Sequence, residues 1–467
     1  MSQQPPSAPS AEPPLYVKTP TIHPRAIKGP HRSMKTWLGI LLVAVTALLP
    51  WLRWDRGPDM PHQAVLFSFT DMRAYLFGMD IWAQQFYLLT GILILACLVL
   101  FLATSLFGRI WCGFSCPQTV WTDLFVRIER LCEGERNARL RLENQPWTVN
   151  KILRKTAKHA LWILVSSITG LIFCVYFTDA YAATAELLTG RASITLYSFW
   201  ALFAGCTYGM AGFVREQMCI YMCPWPRIQG GMLDENTLNV TYDVARGEPR
   251  GRAKKGQEGA ARGDCVDCRL CVQVCPTGID IRDGVQMACI NCGLCIDACN
   301  SVMARFDLPP NLIGWLPESK TKPKLFRPRT LIYGGLTAVL ALVLLLATGL
   351  RREMDLSVLA DRSPTSMRMS DGSVRDGYTV KLVNRHHRAV SGDLTVTGIP
   401  GLHLTRIGGA GNVSVLHLTA QPDTVTTFRV YIRQDRDAPK TDHAPILFNF
   451  NNGMATARSV FQVNMGQ

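Results

Sequence analysis

Five long apolar segments divide the chain and predict membrane-spanning helices. They lie at Lys35–Trp51, Phe86–Phe107, Ala160–Phe177, Ser193–Val214 and Leu331–Leu350. Each is close to the ~20 residues that an α-helix needs to cross a bilayer. The first also resembles a signal peptide because Pro50 ends it early, but no small-residue cleavage site follows. Trp51 and Trp54 instead indicate an aromatic belt at the membrane interface.

Beyond Leu350 the hydrophobic pattern changes from a helical to an alternating period. Segments such as YTVKLVN, VSVLHLT and SVFQVN alternate apolar and polar residues and are separated by Gly, Pro, Asn and Asp. Such short strands, six or seven within about 110 residues, predict an immunoglobulin-like β-sandwich. At the other end, residues 1 to about 20 are rich in Pro and Ser, which predicts disorder.

The distribution of charge orients the predicted spans. The formal net charge is +14, and the Lys and Arg residues crowd the segment before the first span, the loop Arg109–Lys158 and the region Arg215–Arg329. By the positive-inside rule these parts are cytoplasmic, so five spans leave the carboxyl-terminal region outside, in the periplasm of a Gram-negative cell. Because basic loops beside spans explain the charge, no nucleic-acid role is expected.

Between the fourth and fifth spans lies a stretch with two cysteine runs of identical spacing. The stretch Asp264–Asn300 reads DCVDCRLCVQVCPTGIDIRDGVQMACINCGLCIDACN and holds eight of the sixteen cysteines. This cadence is typical of bacterial ferredoxins with two [4Fe–4S] clusters, in which the fourth cysteine of each run ligates the other cluster. Zinc knuckles are the alternative for doubled CxxC motifs. Asn300 stands where the bacterial pattern has a second proline.

The crossover predicts the ligands of two [4Fe–4S] clusters. The first is expected to be held by Cys265, Cys268, Cys271 and Cys299, and the second by Cys289, Cys292, Cys295 and Cys275.

Two CxxxCP motifs follow the second and fourth spans, in GRIWCGFSCPQTVW and REQMCIYMCPWPRIQ. The spacing predicts two thiols on one helix face, Cys112 with Cys116 and Cys219 with Cys223, before a helix-breaking proline. Four such thiols side by side suit Cu(I), zinc or another cluster, or cycle with disulfides. Met218 and Met222 offer thioether ligands, although apolar filling at a helix end is the favoured explanation for them.

Other Cys and His residues are interpreted as structural. Cys97, Cys174 and Cys206 within spans, and Cys132 in WTDLFVRIERLCEGERNARLRL, fit the role of small apolar residues. That stretch predicts a basic amphipathic helix along the inner leaflet. His159 is expected to pack at a helix end. His23 and His31 are expected in a solvated segment beside the membrane, and Arg246–Gly263 in a flexible basic linker.

Together these patterns predict a multi-domain membrane protein. An α-helical transmembrane bundle of about five spans carries a cytoplasmic bacterial-type 2[4Fe–4S] ferredoxin module and a carboxyl-terminal immunoglobulin-like β-sandwich. The predicted boundaries are 1–34 for a disordered basic segment, 35–215 for four spans, 216–330 for the linker and module, 331–350 for the last span and 351–467 for the periplasmic β domain.

The chain resembles the CcoG/FixG (RdxA) family of cytochrome c oxidase accessory proteins. The resemblance rests on IHPRAIKG, PWLRWDRGPD, WCGFSCPQTVWTDLF, EGERNAR, REQMCIYMCPWPRIQ, MLDE and the two cysteine runs. The CxxxCP pair alone is shared with membrane polyferredoxins similar to NapH and NosR. The resemblance implies an inner-membrane protein of bacteria that serves assembly of cbb3-type oxidase by reducing Cu(II) to Cu(I) for a copper-exporting P-type ATPase.

Three functions remain open at this stage. The leading hypothesis is a cupric reductase, in which an unknown cytoplasmic donor reduces two [4Fe–4S] clusters and Cys112, Cys116, Cys219 and Cys223 hold copper. The others are a quinol- or ferredoxin-linked electron conduit to a periplasmic reductase and a copper scaffold without redox function. The sequence shows no Ser/His/Asp set, paired carboxylates or nucleotide fingerprint. A homodimer remains an open alternative.

Overall fold

The structure, a computed structural model, describes residues 21–56, 60–82, 85–251, 263–317, 326–350, 354–362, 366–386, 388–406, 413–422, 424–439 and 443–463. It divides into two compact units, Met1–Leu344 and Leu345–Gln467. The disorder predicted for residues 1–20 and most of the predicted linker Arg246–Gly263 lie outside the described residues.

The α-helices of the described residues begin with a long apolar one and end with another. In chain order they are α1 Pro30–Leu48, α2 Phe86–Phe107, α3 Ile110–Phe114, α4 Pro117–Glu133, α5 Arg136–Asn144, α6 Val149–Cys174, α7 Ala180–Thr189, α8 Ile194–Gly209, α9 Trp225–Gly230, α10 Val244–Gly247, α11 Leu270–Val274, α12 Leu294–Met303 and α13 Pro328–Gly349. Four have the length and composition to cross a membrane: α1 with its extension to Trp51, α2, α6 and α13. These apolar helices indicate a membrane protein.

The predicted fourth span, Ser193–Val214, is built differently from the other four. The Ser193 hydroxyl caps α8 by accepting a hydrogen bond from the Leu196 N–H at 3.2 Å. The 16-residue α8 continues directly into a five-residue π-helical turn, Met210–Val214. The helical stretch therefore covers the predicted range, although its α-helical part is shorter than the four helices of membrane-spanning length.

The predicted amphipathic helix is two helices, α4 and α5, which separate at Gly134 where φ is +88°. Its polar face lies against protein rather than water. Glu129 binds the guanidinium groups of Arg139, at 2.6 Å, and Arg215. Glu133 binds Lys158 at 3.1 Å. All five of these side chains are buried, so the charges join α4, α5 and α6 into one layer.

The expectation that His23 and His31 lie in a solvated segment is wrong. His23 is 6% exposed and lies 3.0 Å from Glu143 of α5. His31 Nδ1 lies 2.8 Å from Asp297 of α12. Residues 21–29 run between the amphipathic helices and the cysteine module, where carboxylates provide partners that the local sequence does not reveal.

A small antiparallel sheet fills the loop between the first two spans. Its strands are β1 Val65–Ser68, β2 Arg73–Leu76 and β3 Met79–Trp82, in that order. The buried Arg56 holds this sheet to the preceding loop by donating to the carbonyl oxygens of Phe77, Gln63 and Ala64 at 2.7 to 2.9 Å. Sequence analysis did not predict this sheet because its strands are only four residues long.

The cysteine module is held together by a strand pair. β4 Asn239–Tyr242 and β5 Ile313–Leu316 are antiparallel neighbours on either side of the two cysteine runs in sequence. Val240, Ile281, Ile296 and Leu312 pack with the cysteines in one apolar core. The pairing closes the ends of the module, so the cysteines are enclosed between strands and short helices.

The carboxyl-terminal unit is the predicted immunoglobulin-like β-sandwich. Its strands are β6 Met354–Ala360, β7 Met367–Arg368, β8 Val374–Asn384, β9 Val390–Thr397, β10 Leu402–Arg406, β11 Val415–Ala420, β12 Thr424–Gln434, β13 Ala444–Phe450 and β14 Ala455–Phe461. One sheet has the order β10–β12–β8–β6, with β7 beside β8, and the other β11–β9–β13–β14. Inward residues of both sheets, such as Tyr378 and Phe448, form its core.

Candidate functional site

The structure groups the cysteines of the two runs into two cavities. The first has an empty volume of about 360 Å³, and its thiols come from Cys265, Cys268, Cys271 and Cys299. The second has the same volume and collects Cys275, Cys289, Cys292 and Cys295, with Cys271 at its edge. The fourth cysteine of each run thus faces the other run's cavity, which is the crossover expected of a two-cluster ferredoxin.

The donor set and surroundings of both cavities fit a [4Fe–4S] cluster. The walls between the thiols are largely apolar, with Val240 and Ile281 in the second cavity and Leu312 in the first, where Arg269 and Arg282 also line the space. Burial raises the pKa of the Cys271 thiol and the Cys289 thiol to about 12. Free thiols in these cavities therefore stay protonated, and a cluster that binds them as thiolates must displace the protons.

The two cavities differ in exposure. Cys268 of the first cavity is exposed to solvent, whereas Cys292 of the second cavity is buried. Burial raises the pKa of the thiols of Cys292 and Cys295. Among the eight thiols of the two cavities, Cys268 of the first cavity is therefore the one most exposed to solvent.

The CxxxCP motifs do not form one continuous helix each, so the prediction of two thiols on one helix face is wrong. Cys112 lies within α3, but Cys116 precedes α4 with ψ 128°. Cys219 lies in a π-helical turn, Met218–Met222, and Cys223 ends it with ψ 122°. A following proline disfavours the helical conformation at the residue before it. Pro117 and Pro224 therefore turn the second thiol of each motif out of the helix.

The four CxxxCP thiols nevertheless lie close enough to affect one another. Burial, followed by the charge of Cys116, raises the pKa of Cys112 to about 12; Cys219 and Cys223 add to the rise and Arg109 opposes it. The pKa of Cys219 rises to about 11, again through burial and then Cys116. The fold therefore assembles one group of thiols from two motifs separated by about a hundred residues of sequence.

These thiols do not converge on one point. Within the described residues, no three His, Cys, Asp or Glu side chains are placed to hold a single metal ion. The Cys112 thiol donates a hydrogen bond to Gln229 Oε1 at 3.2 Å, and Gln229 is fully buried. Met222 is 64% exposed. The arrangement leaves room for an ion held by two thiols or for a larger group held by four.

The first CxxxCP motif lies directly against the loop of the second cavity. A Cβ atom on Gly113 would approach the carbonyl oxygen of Ile290 to 2.6 Å and the Cα atom of Cys292 to 3.0 Å. Cys112 packs in the same apolar cluster as Ile290 and Cys292. Only a glycine allows this backbone approach, which sequence reasoning missed because the spacing of a motif does not show what its glycine contacts.

Arg109 connects the CxxxCP group with the second cysteine cavity. Its guanidinium donates to the carbonyl oxygens of Met287, Cys289 and Pro226. The side chain is 5% exposed, and burial lowers its pKa. The Arg109 charge therefore lies between Cys112 of the CxxxCP group and Cys289 of the second cavity, which both act on it.

Asp297 joins the cysteine module to the first span. It lies on α12 between Cys295 and Cys299, and its carboxylate accepts hydrogen bonds from the backbone N–H groups of His31 and Arg32 at the start of α1. Trp315 Nε1 donates to His31 Nε2 at 3.1 Å. A carboxylate at a helix N-terminus satisfies free N–H groups and the helix dipole. The module is thereby fixed to the amino-terminal end of α1, which the charge distribution predicts to be cytoplasmic.

The remaining cysteines lie apart from both sites. Cys97 and Cys206 are exposed on the apolar helices α2 and α8, and Cys174 is buried on α6. Cys132 packs beside Phe125 and Trp162. His159 packs against Trp162 and lies 2.9 Å from the Tyr208 hydroxyl. Their structural interpretation agrees with these surroundings.

Comparison with known families covers most of the chain. Residues 214–318 match a family described as a 4Fe-4S dicluster domain, and residues 88–132 match one described as a 4Fe-4S binding domain. Residues 344–464 match the IG-like fold at the C-terminal of FixG. Two 4Fe–4S binding domains and an immunoglobulin-like domain are therefore present.

Three relatives match along nearly their whole length. Protein RdxB of Cereibacter sphaeroides is 43% identical over 441 residues, 92% of each chain. Protein RdxA of the same organism is 46% identical over 85% of this chain and 87% of its own. The nitrogen fixation protein FixG of Rhizobium meliloti is 41% identical over 90% of this chain and 87% of its own. The crystal structure of a FixG-related protein from Vibrio parahaemolyticus is 19% identical, with a TM-score of 0.20, over 24% of this chain and 98% of that chain.

The fold and the cysteine sites define an iron–sulfur electron-transfer protein with apolar helices of membrane-spanning length. The identities to RdxA, RdxB and FixG, together with the FixG-type carboxyl-terminal domain, place it more narrowly. The chain belongs to the FixG/RdxA family, as the motifs in its sequence indicate.

Proposed function

We propose that this protein carries electrons from a cytoplasmic donor to its CxxxCP thiols and reduces Cu(II) to Cu(I) there. By family resemblance, the product serves assembly of cbb3-type cytochrome c oxidase through a copper-exporting P-type ATPase. The contact of Gly113 with the Ile290–Cys292 backbone carries the proposal, because it joins the second cysteine cavity to the CxxxCP group without an intervening side chain.

The residues of the two cavities are proposed to hold two [4Fe–4S] clusters. Cys265, Cys268, Cys271 and Cys299 hold one, and Cys275, Cys289, Cys292 and Cys295 hold the other. When bound, such clusters supply one-electron storage and transfer. The exposed Cys268 makes the first cavity the side on which a donor approaches. The buried second cavity lies between this side and the CxxxCP thiols.

Cys112, Cys116, Cys219 and Cys223 are proposed to bind the copper substrate. Thiolates are soft ligands that favour Cu(I), so the reduced product is held more strongly than Cu(II) by the same group. Each Cu(II) takes up one electron, which originates from the cytoplasmic donor, and the protein bonds that break are the S–H bonds of the thiols that bind the metal. Because burial raises the pKa of Cys112 and Cys219, copper binding releases their protons into the site.

One experiment tests this function directly. Protein with intact clusters is reduced, freed of excess reductant and mixed under argon with Cu(II) and a Cu(I)-specific chelator. We expect Cu(I) to form in step with cluster reoxidation in the native protein and in the matched control Cys97→Ala, whose thiol lies outside the site. Cys112→Ala and Cys219→Ala should lose at least nine-tenths of the rate while keeping their iron. An equal rate in all four proteins contradicts the proposal.

A second candidate is that the CxxxCP thiols hold a third cluster, which makes the protein an electron conduit to a periplasmic reductase. The match of residues 88–132, which contain Cys112 and Cys116, to a 4Fe-4S binding domain favours it. Iron analysis separates the two: iron for three clusters, lost to two in Cys219→Ala, supports the conduit.

A different variant distinguishes the reductase from a copper scaffold without electron transfer. Cys268→Ala removes one ligand from the exposed cavity but leaves all CxxxCP thiols in place. A scaffold delivers copper to the chelator after this change, whereas a reductase fed from outside loses reduction by its physiological donor. Equal Cu(I) production by the variant and the native protein in membranes favours the scaffold.

A further inference from the structure

The second cysteine cavity is poor in negative charge among the residues that line it. Apart from its cysteines, its walls consist of apolar residues, a glycine and Thr277. The first cavity differs, because the Arg282 that lines it is bound by two carboxylates, Asp267 and Asp280, at 2.6 Å each. Around the first cavity, the basic charges of Arg269 and Arg282 are thus matched by the two carboxylates of Asp267 and Asp280.

Two buried cations approach the second cavity without an equal number of carboxylates. Lys35 is 5% exposed and lies in a space lined also by Ile290, Leu294 and Cys219. The carboxylate it interacts with, Asp123, is already bound by Arg32 at 2.6 and 3.0 Å and by Arg127 at 3.2 Å. Three cations thus share Asp123. Glu216 lines the same space, where burial raises its pKa, and the cations among the lining residues outnumber these two carboxylates.

Arg109 supplies the second cation, on the side of Cys289. Its hydrogen bonds among the described residues go to carbonyl oxygens and to the Met287 sulfur, which carry no negative charge to compensate it. The buried Asp297 lies nearby on α12, but its carboxylate is bound by His31 and the N-terminus of α1. Burial of Cys292 raises the pKa of its thiol, and the Lys35 charge opposes the rise, so the ammonium acts at this ligand.

Burial of the second cavity and the positive charge of Lys35 and Arg109 have opposite consequences for an electron arriving there. Reduction adds negative charge, which burial disfavours, so the more buried cavity by itself holds the cluster that is harder to reduce. A fixed positive charge nearby favours the reduced state. Without compensation, electrons would remain at the exposed cavity and would not reach the CxxxCP thiols.

We infer that Lys35 and Arg109 are positioning residues for electron transfer, which raise the reduction potential at the second cysteine cavity and so draw electrons from the exposed cavity towards Cys112. This role rests on the proposed electron path, but it concerns the chain's own charges and needs no copper. Their placement on either side of the cavity makes each one separately testable.

A redox titration of the copper-free protein, followed by the paramagnetic signals of its clusters, tests the role. Lys35→Met should lower one of the two potentials and leave the other unchanged, whereas Lys35→Arg should restore it. A unit charge within ~12 Å, across an effective dielectric constant of about 20, changes the ratio of reduced to oxidised cluster by about tenfold. That ratio corresponds to 59 mV for a one-electron couple. Lys28→Met, a change at an exposed lysine of the same segment, should leave both potentials unchanged.

Further variants keep the result decisive. Cys292→Ser and Cys268→Ser assign the two signals to the second and first cavities. If Lys35→Met loses iron, Arg109→Gln and Arg109→Lys make the same comparison. Unchanged potentials with intact iron, or a fall confined to the first cavity, overturn the inference. Failure of copper reduction with the potential still lowered by Lys35→Met overturns the proposed function but leaves this inference in place.

Discussion

Three cysteines of this protein share a backbone conformation because each precedes a proline. Cys116, Cys223 and Cys275 have ψ angles of 128°, 122° and 124°. The clash between a proline ring and the preceding residue disfavours the helical conformation and favours the extended one. In each case a thiol is turned away from a short helix towards a site shared with another segment. The proline therefore orients a ligand as well as ending a helix.

At the same scale, Gly113 controls how closely the two sites approach. Gly113→Val places a side chain where the Cβ atom alone would be 2.6 Å from the Ile290 carbonyl oxygen. We expect the loop and α3 to separate and the rate of Cu(II) reduction by pre-reduced protein to fall about tenfold or more, because transfer depends on near-contact geometry. Stopped-flow absorbance of the clusters measures this rate.

Gly205→Ala is the matched control for this prediction. Gly205 lies within α8 and has no atom within 4 Å of its added Cβ, so the change should leave the rate and the iron content unaltered. A native rate in Gly113→Val would show that electrons do not use this contact.

The sequence revealed the thiols but not their neighbours. Spacing predicted the eight cysteines of the two runs and the four of the CxxxCP motifs, because ligand spacing is a local property of the chain. Gly113, Arg109 and Asp297 were not predicted, since each acts on a segment more than a hundred residues away in the sequence. Nothing in their local sequence distinguishes them from other residues of their type.

At the scale of elements, α4, α5 and α6 are joined by buried ion pairs. Glu129 compensates Arg139 and Arg215, both buried. Removing one partner of a buried pair leaves an uncompensated charge, which costs about 3–5 kcal/mol. We therefore expect Glu129→Gln to lower the midpoint of thermal unfolding of the detergent-solubilised protein clearly. Tryptophan fluorescence is a suitable measurement, because Trp162 packs beside this network.

Glu186→Gln, on the exposed face of α7, is the control and should leave the midpoint within experimental error. A native midpoint for Glu129→Gln would mean that Arg139 and Arg215 find other partners. The amphipathic pattern of α4 and α5 predicted a polar face but assigned it to the membrane surface, because periodicity shows that a face is polar without showing what covers it.

For the whole molecule, the number of membrane crossings decides where the carboxyl-terminal unit lies. Four long helices alone return the chain to its starting side, whereas a crossing by α8 and its π-helical continuation places the two ends on opposite sides. We propose the second arrangement, with the amino terminus and cysteine module in the cytoplasm, because Lys and Arg flank the cysteine module and are sparse in the loops Asp55–Gln85 and Thr178–Ala192.

Reporter fusions in a Gram-negative host test this topology. Alkaline phosphatase at the carboxyl terminus should be active and a fluorescent protein at the same position dark, with the opposite result for fusions at the amino terminus. Because the two reporters are complementary, the one that is active at each position confirms that the protein is expressed. Equal behaviour at both ends would remove α8 from the set of spans and move the β domain into the cytoplasm.

The sequence by itself determined the parts whose signals are local: apolar stretches long enough to span a bilayer, alternating strands and thiols at ligand spacing. These signals depend on neighbours within a few residues, so they survive without knowledge of the fold. Only the tertiary structure decided which thiols face a common cavity, why Gly113 must be small, and which buried cations lack a carboxylate of their own among the described residues. Such properties depend on contacts between segments that are distant in the sequence. Burial and charge balance are therefore defined only after the chain has folded.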